Sequence, residues 1–457
     1  MEPSQFTEAC WGRVVRTPRG HWAFVPNPLP PPLEWTDSLV SLLSRADRAL
    51  GELSGLGENL PNPHLLIYPF VRKEAVLSSR IEGTQSSLSD LLLFEATKVE
   101  KQRDVREVQN YVKALEYGIK RLEELPLGLR LIRELHGILM EGVSGERAAP
   151  GEFRRSQNWI GPGNCAVEEA TYVPPPVSEM MEALDGLEKF LHADAELPQL
   201  VQLALTHYQF EAIHPFIDGN GRIGRLLVSL FLCQRGILAK PLLYLSAFFE
   251  RYRQEYYSRL LRVSQRGEWR EWLEFFLRAV VEQCHDALAR SRRLLDLHRS
   301  YYDRSLERKL TPATRQLMEL VFRVPVVTTR SVQASLGLTF AGARKAIEVL
   351  ERENILEEVT GRKRNRAYAA GEVLRILEEE VPARSVGRQV ELPCRETKSA
   401  WEAAPPQAGS LSSQVVEISG RPQSEHQWGV PAFAIGRRPL RSRWVAPPGS
   451  HCLASPW

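Results

Sequence analysis

Apolar residues recur at every third or fourth position through most of the first 300 residues, the spacing that lines one face of an α-helix. LVSLLSRADRALGEL (39–53) predicts a first helix, which NLPNPHLL (59–66) breaks. YPFVRKEAVLSSRIEG (68–83) is helical up to its glycine, and another helix covers about 86–97, with Ser86 and Ser87 as capping candidates. Helical patterning fills 104–143 in two segments split near ELPLG, and returns at 178–192 and 198–213. It continues through PLLYLSAFFERYRQEYYSRLL (241–261) and REWLEFFLRAVVEQCHDALARSRRLLDLH (270–298). Between 144 and 176 the periodicity is lost, and the composition there predicts a loop and a hairpin. The fold class is mainly α.

The two ends depart from this pattern. Residues 1–35 are rich in Pro and Trp and read as an extended arm that packs through its aromatics, not as a helix. Near 311 a second unit begins: an amphipathic helix in TPATRQLMELVF, a short helix in TTRSVQASLG, a longer one in TFAGARKAIEVLEREN, and two β segments around the basic turn of ILEEVTGRKRNRAYAA. That order is the order of a winged helix-turn-helix module. Beyond about 382 periodicity disappears, and the segment reads as a disordered tail with no assigned function. The expected division is therefore 1–100 for the arm and the helices that follow, 101–300 for a helical core, 311–380 for the module and 382–457 for the tail.

Composition narrows the setting. With 457 residues, 43% of them hydrophobic, the chain can build a substantial core in two or three domains. No apolar run is long enough to span a bilayer, and the first residues lack a basic-then-apolar signal pattern, so the expected location is cytoplasmic, with no membrane partner. The six cysteines form no CxxC pair and no Cys/His cluster, which fits a reducing compartment and argues against structural zinc. The net charge of +3 is near balance, so any nucleic-acid contact must come from a local patch.

The candidate chemistry is concentrated in HPFIDGNGRIGR, residues 214–225. Gly219, Asn220 and Gly221 predict a sharp turn that opens a helix and exposes backbone N–H groups, a concave anion site. Arg222 and Arg225 lie three apart and share a face of that helix. Two guanidinium forks beside such a turn suit a polyphosphate. Asp218 offers hard oxygen to Mg2+, which binds through one or two carboxylates plus phosphate. His214 has an ordinary pKa of roughly 6.5, suited to a general base. Taken singly, a lone histidine is more often structural and GNG is only a turn signal; their joint occurrence points to phosphate handling.

The stretch also resembles the Fic family motif, HxFx(D/E)GNGRxxR, at every specified position: His214, Phe216, Asp218, Gly219, Asn220, Gly221, Arg222 and Arg225. The resemblance implies a Fic-type helical core and transfer of AMP from MgATP to a Tyr, Ser or Thr hydroxyl of a protein, the chain itself included. His214 would be the base, Asp218 the Mg2+ holder, Gly219 to Gly221 the phosphate cradle, Arg222 and Arg225 the phosphate grip, and Phe216 a buried anchor. SSRIEG matches the family's inhibitory pattern, [S/T]xxxE[G/N], through Ser78, Glu82 and Gly83. A carboxylate there would pair with Arg225 and restrain the reaction. GEFRRSQNWIG followed by TYVPPP resembles the family's β-hairpin flap, which takes target backbone as an added strand. Arg154, Gln157 and Trp159 could equally pack the hairpin, which is the favoured reading for Trp159. The stretch after the motif walls the adenine pocket in relatives, where many carry Asn at the position of Tyr252; stacking by Tyr252 would replace it.

The 311–380 module leaves a different class of function open. Arg344 and Lys345 early in the longer helix, with Arg362, Lys363, Arg364 and Arg366 in the turn, could meet DNA, and the core would then serve a nucleotide-sensing regulator of transcription; the module could equally dock protein, with the basic turn merely solvated. The intact His214 favours the enzyme. Transfer of another nucleotide moiety and removal of AMP also stay open, as does a homodimer of the kind common in the family.

Overall fold

The computed structural model describes residues 1–379 apart from 61, 98–102, 144–148, 162–164 and 194–195; the tail from 382 lies outside the described residues. Two strands come first. β1 (Gly12–Arg16) and β2 (Trp22–Pro26) pair antiparallel, with Val14 opposite Phe24, and a short 3-10 turn, Pro3–Gln5, precedes them. The expectation of an extended arm over 1–35 is thus corrected. The continuous apolar run WAFVP, buried from Ala23 to Pro26, is stabilised as a strand by tertiary packing. Ala23 and Phe24 are fully buried in a small cluster with Met1, Ala170, Tyr172 and Val173, and the Phe24 N–H donates to the Val173 carbonyl at 2.9 Å.

The helices follow the apolar periodicity. They are α1 (Asp37–Glu58), α2 (His64–Ile81), α3 (Leu88–Thr97), α4 (Arg103–Arg121), α5 (Leu129–Leu139), α6 (Val177–His192), α7 (Gln199–Ile213), α8 (Asn220–Gln234), α9 (Ser246–Arg251), α10 (Arg253–Arg266) and α11 (Trp269–Glu307). Thr36 caps α1, its hydroxyl accepting the Leu39 N–H, which satisfies one of the four donors a helix start leaves unpaired. At 39 residues, α11 is about 58 Å long. It buries Trp272, Phe275 and Phe276 in the core and packs along α1. Helices α7 and α8 are buried nearly all round, polar residues included, as central helices are.

The carboxy-terminal elements are α12 (Pro312–Arg323), β3 (Val326–Thr328), α13 (Thr329–Leu336), α14 (Phe340–Arg352), β4 (Glu357–Glu358), β5 (Ala367–Ala369) and α15 (Gly371–Glu378). The strands form one antiparallel sheet in the order β3-β5-β4. β3 and α15 were not expected from the sequence. These elements share the apolar core with the preceding helices. Buried Arg290 of α11 donates to the carbonyls of Ile376, at 2.6 Å, and Leu377, at 3.0 Å, at the end of α15. Tyr301 reaches Glu372, and Ser89 of α3 reaches Glu378.

Candidate functional site

Helix α7 ends at His214, whose backbone is left-handed with φ 49°. A non-glycine residue pays for that conformation, and such residues gather at functional sites. Several buried groups hold it there. Arg154, 2% exposed, donates from Nε to the His214 carbonyl at 3.0 Å and from Nη2 to the Pro175 carbonyl at 2.5 Å. Asn158 donates to the carbonyls of His214 and Phe216. Asn220 clamps the loop from within: its Oδ1 accepts the Phe216 N–H at 2.8 Å and its Nδ2 donates to the Phe216 carbonyl at 2.8 Å. Gly219, at φ 82°, turns the chain into α8.

The half-buried His214 has a defined role for each ring nitrogen. Nδ1 lies 3.3 Å from the Glu211 carbonyl, which can only accept, so Nδ1 carries the proton and Nε2 keeps its lone pair. Burial, reinforced by Arg154 and opposed by the Glu211 carbonyl and the charges of Glu82 and Asp218, lowers the pKa to about 4. The ring is therefore neutral at physiological pH and can take a proton at Nε2.

The start of α8 is rich in donors. Arg222 and Arg225 are 3% and 2% exposed, and Arg222 Nε and Arg225 Nη1 are buried with no hydrogen-bond partner among the described residues. Such orphaned donors are uncommon in folded proteins and call for an acceptor. The rest of each fork is engaged. Arg222 pairs with Glu107 at 3.1 Å and Asp218 at 3.4 Å. Arg225 donates to the Ser78 hydroxyl at 2.9 Å and to the Ser78 carbonyl at 3.0 Å. A Cβ at Gly221 would meet Glu82 Oε1 and Arg225 Nη1, two side-chain ends that would have to move aside.

Glu82 lies against the same helix start. α2 ends at Ile81, Glu82 caps it, and Gly83 leaves at φ 103°. The Glu82 Oε1 accepts from Arg225 Nη2 at 2.6 Å. Burial alone would weaken the Arg225 charge, but Glu82 and the neighbouring acidic groups outweigh it and raise the pKa. The structure therefore brings together His214, Asp218, Gly219, Asn220, Gly221, Arg222, Arg225, Ser78, Glu82 and Gly83.

Asp218 stands at the open side of the loop, with its side chain 54% exposed and one oxygen on the Gly219 N–H. Among the described residues no cluster of three or more metal-binding side chains exists. A single exposed carboxylate still fits Mg2+ of the kind completed by substrate phosphates.

Other residues fall differently. Tyr252 sits between α9 and α10, packed on Phe248 at 4.6 Å with the Arg278 guanidinium over its ring. Tyr257 instead reaches the site, its hydroxyl donating to the Ile81 carbonyl at 3.5 Å. The 151–176 segment closes through one antiparallel bridge, Ile160 with Tyr172. Trp159 is 42% exposed and donates its indole N–H to the Cys165 carbonyl within the same segment. Gln157 donates to the Pro174 carbonyl, and buried Arg154 is a fastener of the loop.

Three contributors were missed. His136 stacks on Phe216 at 3.7 Å, accepts the Gly151 N–H at Nδ1 and so donates from Nε2 to the Asp218 carbonyl. Glu107 is the half-buried counter-ion of Arg222. Glu211 places Oε1, buried without a partner, against Gly224. Burial raises its pKa to about 7, with Arg225 opposing and Glu82 adding to the shift. Only Glu211, three residues before His214, carried a local signal, an acidic residue on an otherwise apolar helix.

Residues 40–120 match the Fic/DOC family N-terminal model, and residues 126–232 match the Fic/DOC family model. The first match includes Ser78 to Gly83 and the second includes 214–225. Curated relatives include the protein adenylyltransferase Fic of Drosophila erecta, 24% identical over 194 residues, 42% of this chain and 35% of that protein. The same protein of Drosophila grimshawi is 25% identical over 42% of this chain and 36% of its own. The chain thus spans about a third of the length of these relatives. Among solved structures, a Fic family protein from Desulfovibrio desulfuricans is 20% identical, with a TM-score of 0.49, over 75% of this chain and 98% of that one.

Proposed function

We propose that this chain, whose residues 40–120 and 126–232 match the Fic/DOC family models, transfers AMP from ATP to a Tyr, Ser or Thr hydroxyl of a protein, itself included, under restraint by Glu82. One observation carries this reading. Two buried guanidinium nitrogens without acceptors, Arg222 Nε and Arg225 Nη1, stand at the start of the helix that follows the His214 loop. A triphosphate supplies acceptors of the right charge for both, and the helix start favours anions.

In this mechanism the substrate hydroxyl gives its proton to His214 Nε2. Its oxygen forms a bond to the α-phosphorus as the bond to pyrophosphate breaks. Arg222, Arg225 and the N–H groups near Gly221 stabilise the negative charge that collects on the leaving group, which is the term preorganised sites supply best. Asp218 would hold Mg2+, which when bound offsets phosphate charge. The 151–176 segment borders the His214 loop through Arg154 and Asn158, a fitting place for target backbone. Glu82 opposes the reaction by occupying Arg225 and by bringing a negative charge to the seat of the phosphates.

The test is incubation with each α-labelled nucleoside triphosphate and Mg2+, comparing wild type, Glu82→Gly and His214→Ala, with mass spectrometry of self-modified protein. Labelling from ATP that rises in Glu82→Gly and vanishes in His214→Ala supports the reading. Preference for another triphosphate shifts it to that nucleotide. Release of AMP from premodified protein, with no transfer by any variant, replaces it with the reverse reaction.

A further inference from the structure

We infer that the carboxy-terminal elements carry a surface for double-stranded DNA, made by the first turns of α14 and the loop joining β4 to β5. α14 divides cleanly. Ala343, Ala346, Ile347 and Leu350 are buried, whereas Arg344 and Lys345 are exposed beside Phe340, itself 51% exposed. Thr339 caps the start of the helix, its hydroxyl accepting the Gly342 N–H at 3.1 Å.

The loop is fastened at its base and bare at its tip. Glu358 accepts from the Thr360 hydroxyl, from its N–H at 2.9 Å and from the Gly361 N–H at 3.1 Å. Gly361 and Asn365, both at positive φ, turn the chain around residues 362–364. Every residue from Gly361 to Arg366 is exposed. Arg344 pairs with Glu348 and Arg366 donates to the Arg362 carbonyl. Lys345, Arg362, Lys363 and Arg364 have no acidic partner among the described residues. Arg362, Lys363 and Arg364 follow one another along the exposed loop and so concentrate positive charge at its tip.

The occupant follows from what else is present. A protein partner is held by a buried aromatic or aliphatic centre with charges at its rim. The loop tip offers no apolar side chain, and Phe340 stands alone on the helix. A phosphate backbone needs only spaced cations, and a helix start flanked by a basic loop can straddle one groove. Each phosphate contact steepens the salt dependence by about 0.9 in the log–log slope, so Lys345 and the three loop cations would give a slope of about −3.6.

The test uses the full chain and a fluorescent mixed-sequence 30-base-pair duplex, with anisotropy read from low to physiological salt. Expected are salt-dependent binding and, for Arg362→Ala/Lys363→Ala/Arg364→Ala, an affinity at least tenfold lower with a slope shallower by about 2.7. Nucleotide transfer by the triple variant should be unchanged, because none of these side chains touches the His214 site. No duplex binding at low salt, binding that the triple variant retains in full, or tighter binding to an equally charged acidic polypeptide would each overturn the proposal.

Discussion

Two loops of this molecule have nearly the same vocabulary and opposite fates. Residues 218–225, DGNGRIGR, and 361–366, GRKRNR, are both built from Gly, Asn and basic residues. In the first, both arginines are almost wholly buried and paired with acids that lie far away in the chain. In the second, Arg362, Lys363 and Arg364 face solvent. The cause is the flanking sequence. Ile213, Phe216, Ile223 and Leu226 are fully buried around the first loop and draw it into the core, so its charges must bring partners with them. Short strands flank the second, leaving its charges with water. A buried, prepaired arginine recognises one shape; an exposed one recognises charge. The two loops should therefore respond oppositely to conservative substitution and to salt.

The largest effect tests whether the buried loop does chemistry at all. His214→Ala should reduce transfer by about 10²- to 10⁴-fold, the usual contribution of a general base, with ATP binding retained in a calorimetric titration. A variant that transfers at the wild-type rate would make the buried loop a binding site only. Below that in size lies the Arg-to-Lys contrast. In a Glu82→Gly background, Arg225→Lys should cost at least about tenfold in transfer, because an ammonium cannot serve Ser78 and a phosphate through one planar fork. Arg364→Lys should leave duplex affinity within about twofold, since phosphate neutralisation counts charge. Equal sensitivity at the two positions would dissolve the distinction drawn between them.

The brake is next. Removing the charged hydrogen bond from Glu82 to Arg225 frees a guanidinium that ATP needs, and bonds of this kind contribute about 1.5–3 kcal/mol. Glu82→Gly should raise self-labelling by about ten- to a hundredfold at ATP concentrations below saturation. An unchanged rate would mean that Glu82 and the phosphates never compete.

Much of this was legible beforehand, for identifiable reasons. The helices were announced by long apolar stripes, and the residues that meet at the site lie in two contiguous words, SSRIEG and HPFIDGNGRIGR. What escaped notice lies far along the chain or depends on tertiary packing. Glu107 meets Arg222 across 115 positions, and His136 meets Asp218 across 82; nothing local marks either. The β1–β2 hairpin hid behind prolines and tryptophans because its strands are secured by Tyr172 and Val173, not by their own alternation. Tyr252 and Tyr257 both suit a pocket by composition, but the turn between α9 and α10 sends the first onto Phe248 and Arg278 and the second toward Glu82 and Arg225.

The smallest expected effect concerns Glu211, where the buried loop holds an acid whose proton is in play. Its carboxyl is pushed up to about 7 by burial, against the pull of Arg225. Below that pH it is neutral and leaves Arg225 to the phosphates. As pH rises through 7 it ionises, adds a negative charge next to the triphosphate and competes for the guanidinium. His214, held down to about 4, stays a neutral base across this range and contributes no slope of its own. In the wild type, where Glu82 contributes to that raised value, the KM for ATP should therefore rise several-fold from pH 6 to pH 8, while kcat holds nearly level. Glu211→Gln, always neutral, should flatten the KM profile at its low-pH value. A Gln variant that keeps the full pH dependence would assign the titration to another group, and the exposed loop, with only Arg and Lys at its tip, should show no dependence of duplex binding over the same interval.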